Sequence, residues 1–462
     1  MSSLLDDLVG LLGPSHVLTG AAIPERYRSD WFQVHRSEPL ALVRPGSPAQ
    51  VAQVLAICYR YDQPVTPQGG LTGLVGGASP ATGDVALSLE RLTGVEEIDT
   101  AAATMTVLAG TPLQTVQAAA REAGLLLAVD LGARGSCQIG GNIATNAGGN
   151  RVIRYGMMRE QVLGLEVALA DGTLISSLNK MLKNNAGFDL KHLFIGSEGC
   201  LGVVTRAVLR LQPLPASCCT AWCALSDYSA VIAFLRHAQA ALGGSLSAFE
   251  VMWPDFYELV TTRIAGMRAP LPGRASLQVL LEVEGSEQQR DADMFAAMLE
   301  HALEKGWVRD ATIAQSLKER EGFWRLRDAV SEFPLMWSPY CGYDISLPIG
   351  RIGDFVAELQ AGLRARFPQC EHVHFGHIGD SNLHIGVHLD RSAGSFPENA
   401  IDDCVYTLLR SYGGSVSAEH GIGLHKKAYL GHSRSEPEIA LMRTIKQALD
   451  PKGLLNPGKV LP

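Results

Sequence analysis

The amino-acid sequence predicts an α+β protein that contains more than one domain. A chain of 462 residues is longer than most single domains and can bury large cores. Its carboxyl-terminal half alternates strand-like with helix-like segments, which favours a largely antiparallel sheet covered by helices. The segment Pro213-Leu214-Pro215 marks a boundary. The predicted parts are residues 1–215, 216–411 and 412–462.

Composition and charge argue against several classes of protein. Hydrophobic residues make up 47% and charged residues 19% of the chain, which is typical of globular proteins. The net charge of −8 argues against nucleic acid or an anionic membrane as the main partner. No apolar run reaches the roughly 18 residues that span a bilayer, and acids near the start argue against a signal peptide. We therefore expect a cytoplasmic protein, or one that is peripheral to the inner face of the membrane.

Three glycine-rich loops are the main feature of the first predicted part. The first loop, Pro67 to Ala78, follows a short strand and holds five glycines in twelve residues. The second runs from Gly132 to Gly149, and the third from Gly196 to Thr205. Glycine permits positive φ angles and lets backbone N–H groups approach an anion closely. Neither G-x-G-x-x-G nor the Walker pattern is present, so a surface turn remains the alternative for any single loop.

Regular elements separate these loops. A helix is predicted from Ser47 to Tyr61, because Ser47 can cap it and Pro48 suits its first turn. Asp171-Gly172 is a strong hairpin signal. Further strands are predicted at residues 41–45, 85–89, 96–99, 105–109, 163–170 and 174–177, and a further helix at 112–123. Because several glycine-rich loops share one domain, we expect a pocket for an extended, phosphate-bearing cofactor.

A histidine-rich hairpin dominates the second predicted part. Residues 372–388 hold five of the thirteen histidines and alternate in steps of two around a Gly-Asp-Ser-Asn turn. If His377 and His384 form a cross-strand pair, their Cβ atoms lie about 5 Å apart, which suits two imidazoles that share one metal ion. A hairpin with a few surface histidines is the alternative. Helices at 228–242, 288–305, 353–367 and 437–449 and strands at 277–283 and 343–348 are also predicted.

A second polar segment, Ser417–Gly423, places a carboxylate beside an imidazole among small residues. Glu419 can complete a set of two histidines and one carboxylate around a divalent metal. His420 is then available as a base. This segment favours the metal hypothesis for the hairpin over the surface alternative.

Six motifs occur in the order expected of one enzyme family. They are Pro67-Gln-Gly-Gly-x-Thr-Gly73, Ile139-Gly-Gly-Asn-x-Ala-Thr-Asn-Ala-Gly-Gly149, Phe194-Ile-Gly-Ser-Glu-Gly-x-Leu-Gly202, Gly376-His-Ile-Gly-Asp-x-Asn-Leu-His384, Ser417-Ala-Glu-His-Gly421 and Leu455-Asn-Pro-Gly-Lys459. Together they resemble the FAD-dependent D-2-hydroxyacid dehydrogenases of the vanillyl-alcohol oxidase superfamily. That family includes D-lactate dehydrogenase, D-2-hydroxyglutarate dehydrogenase and the FAD subunit of glycolate oxidase. The likeness runs from about Asp30 to Leu461.

The resemblance implies a two-lobed FAD-binding domain at 1–215, an α+β cap domain at 216–411, and a C-terminal segment at 412–462 that returns to the flavin. It also implies non-covalent FAD, because no histidine lies in the glycine-rich loops where some superfamily members attach the cofactor. The implied FAD-binding residues are Pro67, Gln68, Gly69, Gly70, Leu71, Thr72, Gly73, Leu74, Ser136, Gly140, Gly141, Asn142, Thr145, Asn146, Gly199, Gly202, Val204 and Asn456.

The resemblance assigns a metal and a base to the reacting centre. His377, His384 and Glu419 match the ligands of a divalent metal, and two imidazoles with a carboxylate suit zinc or manganese. His420 matches the general base. The implied reaction is transfer of a hydride from a D-2-hydroxyacid to FAD, which gives the 2-oxoacid.

The resemblance also assigns a role in positioning the substrate. Arg327 matches the arginine that grips the substrate carboxylate, whereas sequence alone does not choose it over Arg320 or Arg325 on the predicted helix from Glu319 to Glu332. The alternative for Arg327 is one more charge on an exposed helix. Apart from the resemblance, Asp380 and Asn382 are candidates for residues that orient the metal ligands.

One departure from the family bears on the substrate. The D-2-hydroxyglutarate enzymes carry a lysine where this chain has Gly342, and that lysine would meet the distal carboxylate. Ser331 replaces a threonine of those enzymes, which is a milder change. We therefore expect D-lactate or a longer monocarboxylic D-2-hydroxyacid to be oxidised at least as well as D-2-hydroxyglutarate.

Other functions remain open at this point. Within flavoenzymes they are a D-2-hydroxyglutarate-specific dehydrogenase and an FAD-linked oxidase of another alcohol. From other classes they are a metal-dependent hydrolase whose loops bind a nucleotide and a silent FAD-binding subunit. The sequence does not name the electron acceptor, for which an electron-transfer flavoprotein or a quinone are candidates, and it is compatible with a homodimer.

Overall fold

The computed structural model describes residues 3–272, 277–390 and 396–462. Its contacts divide the chain into two compact units. The first unit comprises Met1–Gly149, Gly156–Leu214 and Glu419–Pro462, and the second comprises Asn150–Tyr155 and Pro215–Ala418. The chain therefore leaves the first unit twice, and its carboxyl-terminal segment belongs to that unit.

The first unit contains two main sheets. Its strands are β1 (Val17–Leu18), β2 (Ala41–Val43), β3 (Val65–Gln68), β4 (Val85–Ser88), β5 (Val95–Asp99), β6 (Thr104–Leu108), β7 (Leu125–Leu126), β8 (Val162–Ala168), β9 (Leu174–Ser177), β10 (Val203–Arg210) and β11 (Gln212–Pro213). One sheet has the order β1-β2-β4-β3, in which β2 and β3 run parallel to β4. The other is antiparallel, with the order β5-β6-β10-β8-β9.

Helices of the first unit follow local sequence signals. They are α1 (Leu4–Leu12), α2 (Pro48–Arg60), α3 (Leu113–Glu122), α4 (Ile139–Ala144), α6 (Met158–Gln161), α7 (Lys191–Phe194) and α15 (Glu436–Leu449). The side chain of Ser47 accepts a hydrogen bond from Gln50 N at 3.2 Å and caps α2, as predicted. The hairpin predicted at Asp171-Gly172 is also confirmed, because Ala168 pairs with Leu174.

The carboxyl-terminal segment is held to the start of the first glycine-rich loop. Leu455 forms a parallel bridge with Val65, and the N–H of Val65 donates to the carbonyl of Leu454 at 2.8 Å. Leu455 is also buried in the main hydrophobic core of this unit. Burial and main-chain hydrogen bonds therefore fix this segment beside β3.

The second unit is one seven-stranded antiparallel sheet with helices. Its strands are β12 (Ser217–Leu225), β13 (Leu246–Met252), β14 (Leu277–Gly285), β15 (Val308–Ile313), β16 (Tyr340–Ser346), β17 (Glu371–His377) and β18 (Asn382–His388). Its helices are α5 (Val152–Tyr155), α8 (Tyr228–Leu242), α9 (Pro254–Arg263), α10 (Gln288–Glu304), α11 (Leu317–Arg327), α12 (Phe333–Met336), α13 (Ile352–Arg366) and α14 (Glu398–Ser411). The strand order is β15-β12-β14-β13-β17-β18-β16.

The predicted histidine hairpin is confirmed as β17 and β18, but its pairing differs from the expectation. His384 lies opposite Phe375, whereas His377 lies opposite Glu250 on β13. His377 and His384 are therefore not a direct cross-strand pair, although their rings are 5.2 Å apart. Across the described residues, no helix combines the length and apolar composition that a membrane span requires.

Candidate active site

The three glycine-rich loops meet around one cavity in the first unit. The cavity has a volume of about 340 Å³. Most residues that the resemblance assigned to FAD line it. They are Pro67, Gln68, Gly69, Gly70, Leu71, Thr72, Gly73, Leu74, Gly140, Gly141, Asn142, Thr145, Gly199, Gly202 and Val204.

Two of the glycines are required by close approach of the main chain. A Cβ atom on Gly70 would lie 2.0 Å from the carbonyl oxygen of Ser136, so the first two loops touch where no side chain fits. A Cβ atom on Gly140 would lie 2.8 Å from the Cβ of Ala109. Glycine at these positions therefore lets backbone come together and form the cavity wall.

Three buried polar groups at this wall fit a polar cofactor. Gln68 Oε1, Gln138 Oε1 and Asn142 Nδ2 are buried, and they find no hydrogen-bond partner among the described residues. All three side chains line the cavity. Buried polar atoms are costly unless they are hydrogen-bonded, so a ligand with several polar groups would satisfy them. The residues present therefore fit a dinucleotide such as FAD.

Acidic residues and a histidine also reach this cavity. Glu198, Glu419 and His420 line it. The carboxylate of Glu198 accepts hydrogen bonds from the backbone N–H groups of residues 422 and 423, at 2.7 and 2.8 Å. Burial raises the pKa of Glu198. Glu419 accepts a hydrogen bond from Gly149 N at 2.8 Å. The carboxyl-terminal segment thus contributes directly to the wall of the cofactor cavity.

Three residues that the resemblance assigned to FAD are not among the described residues that line the cavity. Ser136 contributes its carbonyl oxygen to the contact with Gly70. Asn146 accepts a hydrogen bond from a backbone N–H at 2.8 Å. Asn456 donates to two main-chain carbonyls, at 2.7 and 3.1 Å. Ser136 therefore contacts the first loop through its main chain, whereas Asn146 and Asn456 make their contacts through their side chains.

A buried triad in the second unit joins Arg327 to His377. Arg327 Nε donates to Glu250 Oε2 at 2.7 Å, and His377 Nδ1 contacts the other oxygen of the same carboxylate. Arg327 Nη2 lies 2.9 Å from His377 Nε2. Arg327 is only 5% exposed, so it is not one more charge on an exposed helix. Its guanidinium also lies over the ring of Phe375, at 5.2 Å.

The charges of the triad keep the carboxyl group of Glu250 ionised. Burial alone would raise the pKa of this carboxyl, but the charges of His377 and Arg327 outweigh burial and lower the pKa to about 2. The ionised carboxylate faces Nδ1 of His377, and Nε2 of the same ring faces Arg327 Nη2. Carboxylate support at Nδ1 is common among histidines that bind metals through Nε2.

A second buried acid stands beside His384. Asp344 lies opposite His384 in the register of β16 and β18, with its Oδ1 3.9 Å from His384 Nδ1. Asn382 Nδ2 donates to the same Asp344 oxygen at 2.7 Å. Asp344 also accepts a hydrogen bond from Ala418 N at 3.2 Å. Asn382 and His384 therefore both lie beside Asp344, to which Asn382 is hydrogen-bonded.

Glu250 and Asp344 were missed by the sequence analysis. Each is an acid within an apolar strand, Leu246–Met252 and Tyr340–Ser346, and each is at most 1% exposed. Acids are almost never fully buried unless they are paired. A lone acid within a strand-like apolar run is the signal that could have found them.

Two family models match this chain. The model described as "FAD binding domain" matches residues 39–177, and the one described as "FAD linked oxidases, C-terminal domain" matches residues 214–460. The second match alone covers more than half of the chain. The chain belongs to the FAD-linked oxidase family. This FAD-linked oxidase also matches curated relatives over most of their length.

Three of these relatives are named D-2-hydroxyglutarate dehydrogenase. The mitochondrial protein of Bos taurus is 39% identical over 99% of this chain and 84% of the relative. The protein of Xanthomonas citri pv. viticola is 43% identical over 94% and 92%. The protein of Stutzerimonas stutzeri is 36% identical over 99% and 98%. This FAD-linked oxidase is accordingly a flavoprotein oxidoreductase of the D-2-hydroxyacid dehydrogenase type.

Solved structures agree with the predicted fold. p-Cresol methylhydroxylase has a TM-score of 0.78 at 17% identity and covers 99% of this chain and 96% of that chain. The 4-ethylphenol oxidase from Gulosibacter chungangensis has a TM-score of 0.76 at 19% identity, with the same coverage. The α+β fold of the vanillyl-alcohol oxidase type, expected from the resemblance, is confirmed.

Proposed function

We propose that the chain oxidises D-2-hydroxyacids that lack a distal carboxylate, with D-lactate or a longer monocarboxylic acid as its substrate. The observation that carries this proposal is the environment of Gly342. The position is on β16, where the D-2-hydroxyglutarate enzymes carry the lysine expected to meet the distal carboxylate. This chain offers no charge there.

The side chain of Tyr340 covers Gly342 and the glycine opposite it. Gly342 lies opposite Gly386, two pairs along from Asp344 and His384, so the two pairs share a face of the sheet. A Cβ atom on either glycine would lie about 3 Å from the ring of Tyr340, at 3.0 and 2.9 Å. The aromatic ring thus takes the space above both glycines. A methyl or alkyl group is the substrate chemistry that suits such a wall.

D-2-hydroxyglutarate is the second candidate. The bovine, Xanthomonas and Stutzerimonas relatives carry its name, at 36–43% identity over nearly the whole chain. A basic side chain from another strand could serve its distal carboxylate. A comparison of kcat/KM between monocarboxylic and dicarboxylic substrates distinguishes the two candidates.

The roles of the polar residues follow from their chemistry. Arg327 binds the substrate carboxylate through charge-assisted hydrogen bonds, because its fork of donors matches two carboxylate oxygens. His420 accepts the proton of the 2-hydroxyl on a ring nitrogen. FAD, when bound, supplies the hydride acceptor. Asn382 keeps Asp344 in place, and Asp344 orients His384.

A divalent metal, zinc or manganese, is part of the proposal. A buried carboxylate lies beside Nδ1 of both His377 and His384. Nε2 of each ring would bind the ion, His377 would give up its contact with Arg327 Nη2, and Glu419 would be the third ligand. Glu419 follows Ala418 directly in the chain, and Ala418 is hydrogen-bonded to Asp344. Such an ion would favour ionisation of the substrate hydroxyl. Non-covalent attachment of FAD, and an electron-transfer flavoprotein or quinone as acceptor, remain predictions.

The test is kcat/KM for D-lactate, D-2-hydroxybutyrate, D-malate and D-2-hydroxyglutarate with one dye acceptor. We expect the two monocarboxylic acids to be used at least as well as the diacids. Gly342→Lys should raise the relative kcat/KM for D-2-hydroxyglutarate by ~10- to 100-fold, the usual contribution of a charged hydrogen bond. Gly342→Met, of similar length without the charge, is the matched control. A wild-type preference of a hundredfold or more for D-2-hydroxyglutarate would overturn the proposal.

A further inference from the structure

The strand that carries His377 presents a second pair of histidines to the opposite face of the sheet. Side chains alternate along a strand, so His372 and His374 point away from the side that holds Phe375 and His377. The residues that contact His372 and His374 also differ from those that contact His377. His372 and His374 face Asp255, the second residue of α9. These three residues are therefore separate from the proposed reacting centre.

The three side chains converge on one point. Asp255 Oδ2 lies 2.7 Å from His374 Nδ1 and 3.4 Å from His372 Nδ1. Each of the three residues offers one ligand atom, and these atoms lie within 4.8 Å of one another. Gln360 on α13 approaches the same atoms, with its side-chain nitrogen 3.1 Å from Asp255 Oδ2 and 3.4 Å from His374 Nδ1. Three elements of the fold thus bring polar groups to this point.

The chemistry of this cluster suits a borderline metal ion. Two imidazole nitrogens and one carboxylate oxygen are ligands that zinc accepts, at distances of about 2.0–2.2 Å. Tetrahedral ligands at such distances are about 3.4 Å apart, so the present spacing needs only a small opening between Asp255 and His374. Rotation of the Gln360 amide would present its oxygen as a fourth ligand, because nitrogen and oxygen of an amide are assigned from their partners.

Burial favours a defined site with a route of entry. The side chain of His374 is fully buried, that of His372 is 7% exposed, and that of Asp255 is 20% exposed. The carboxylate is therefore the side open to an incoming ion. The other oxygen of Asp255 accepts hydrogen bonds from Phe256 N and His374 N, which fix the direction of the carboxylate.

We propose that Asp255, His372 and His374 form a second divalent-metal site, suited to zinc, that ties the start of α9 to β17. The ion replaces the hydrogen bonds between the carboxylate and the two imidazoles. The ion holds the start of α9 against β17 within the second unit and takes no part in the oxidation. This site is independent of the proposed function.

The experiment counts metal ions on the full-length protein. Chelator-treated protein is titrated with zinc, and bound zinc per chain is measured by mass spectrometry after gel filtration. The variants are His372→Ala and Asp255→Asn for this cluster and His384→Ala for the proposed reacting centre. His388→Ala, in the same hairpin and outside both clusters, is the control. We expect two ions in the wild type and the control, and one ion in each other variant.

Unchanged zinc content in both His372→Ala and Asp255→Asn would overturn the site. A wild type with one ion that only His384→Ala removes would overturn it too and leave the proposed function standing. One ion that His372→Ala removes, with no effect of His384→Ala, would support this site and count against metal in the reaction. Thermal unfolding shows whether each variant is folded, so that loss of zinc is not mistaken for loss of structure. Zinc should raise the unfolding temperature of the wild type and not that of the nearly isosteric Asp255→Asn.

Discussion

The carboxylate of Glu250 holds two polar side chains of the second unit in place. Glu250 is 1% exposed and binds Arg327 and His377 at the same time. A buried charge must be compensated by its partners, so removing the carboxylate leaves two groups poorly satisfied. At this scale, the proposed substrate grip and one proposed metal ligand depend on one buried residue.

Glu250→Gln tests this dependence, because it keeps the size of the side chain and removes its charge. We expect metal affinity to fall by about 10- to 100-fold, the usual effect of losing such support for a histidine ligand, and KM to rise as Arg327 loses its anchor. Metal content and steady-state kinetics measure the two effects. Glu258→Gln, on the exposed side of α9, is the control. Unchanged metal affinity and KM would show that Glu250 positions neither residue.

His420→Ala tests the proposed base. We expect kcat to fall by about 10² to 10⁴, the usual contribution of a general base, while FAD content stays near that of the wild type. Flavin absorbance and kcat with a dye acceptor give the two quantities. His432→Ala, in the same carboxyl-terminal segment, is the control. A loss in kcat of less than tenfold would assign the proton transfer to another residue.

Among the elements, the carboxyl-terminal segment connects the glycine-rich loops. Asn456 donates to the carbonyl of Gly77 on the first loop and to that of Glu198 on the third. Its own N–H donates to Val65 at 2.8 Å. Asn456 has a φ of +47°, a conformation that asparagine tolerates better than most residues. The cofactor cavity thus depends on a residue close to the end of the chain.

Asn456→Ala removes both side-chain hydrogen bonds and places alanine at a positive φ. We expect the Kd for FAD to rise at least about tenfold, because the first and third loops lose their shared support. Quenching of flavin fluorescence measures the Kd. Lys452→Ala, on the exposed surface of the same segment, is the control. An unchanged Kd for FAD would mean that the loops hold their shape without Asn456.

Local chemistry made some elements predictable from sequence. The cap at Ser47 and the turn at Asp171-Gly172 act within a few residues, so their effects can be read along the chain. The glycine-rich loops were equally visible, because glycine is needed wherever backbone meets backbone, as at Gly70. The order of the six motifs then identified the family.

Strand register and the burial of individual side chains depend on long-range packing, which no local sequence pattern predicts. The register that sets His377 opposite Glu250 joins residues far apart in the chain, and no local pattern fixes it. The choice of Arg327 over Arg325 depends on which side of α11 the sheet covers, since Arg327 is buried and Arg325 is exposed. The side-chain oxygen of Asn146 accepts a backbone hydrogen bond that sequence could not foresee, and its contact with the cofactor stays a prediction.

At the scale of the whole molecule, the cofactor cavity lies in the first unit, as do the proposed base His420 and the proposed metal ligand Glu419. The residues that line the cofactor cavity all belong to the first unit. The proposed carboxylate grip and both proposed imidazole ligands belong to the second. Substitutions at His377 or His384 should therefore spare FAD binding. Oxidation of a hydroxyacid requires both sets of residues to act on one substrate.

Anaerobic reduction of the bound flavin by a D-2-hydroxyacid tests that central claim most directly. The purified yellow protein is mixed without oxygen with D-lactate, D-2-hydroxybutyrate or D-2-hydroxyglutarate, and in parallel with the L-enantiomers. We predict that at least one D-acid bleaches the flavin absorbance within one turnover and that the L-acids do not. A flavin that stays oxidised with every D-2-hydroxyacid, or that an L-acid reduces equally fast, would contradict the account.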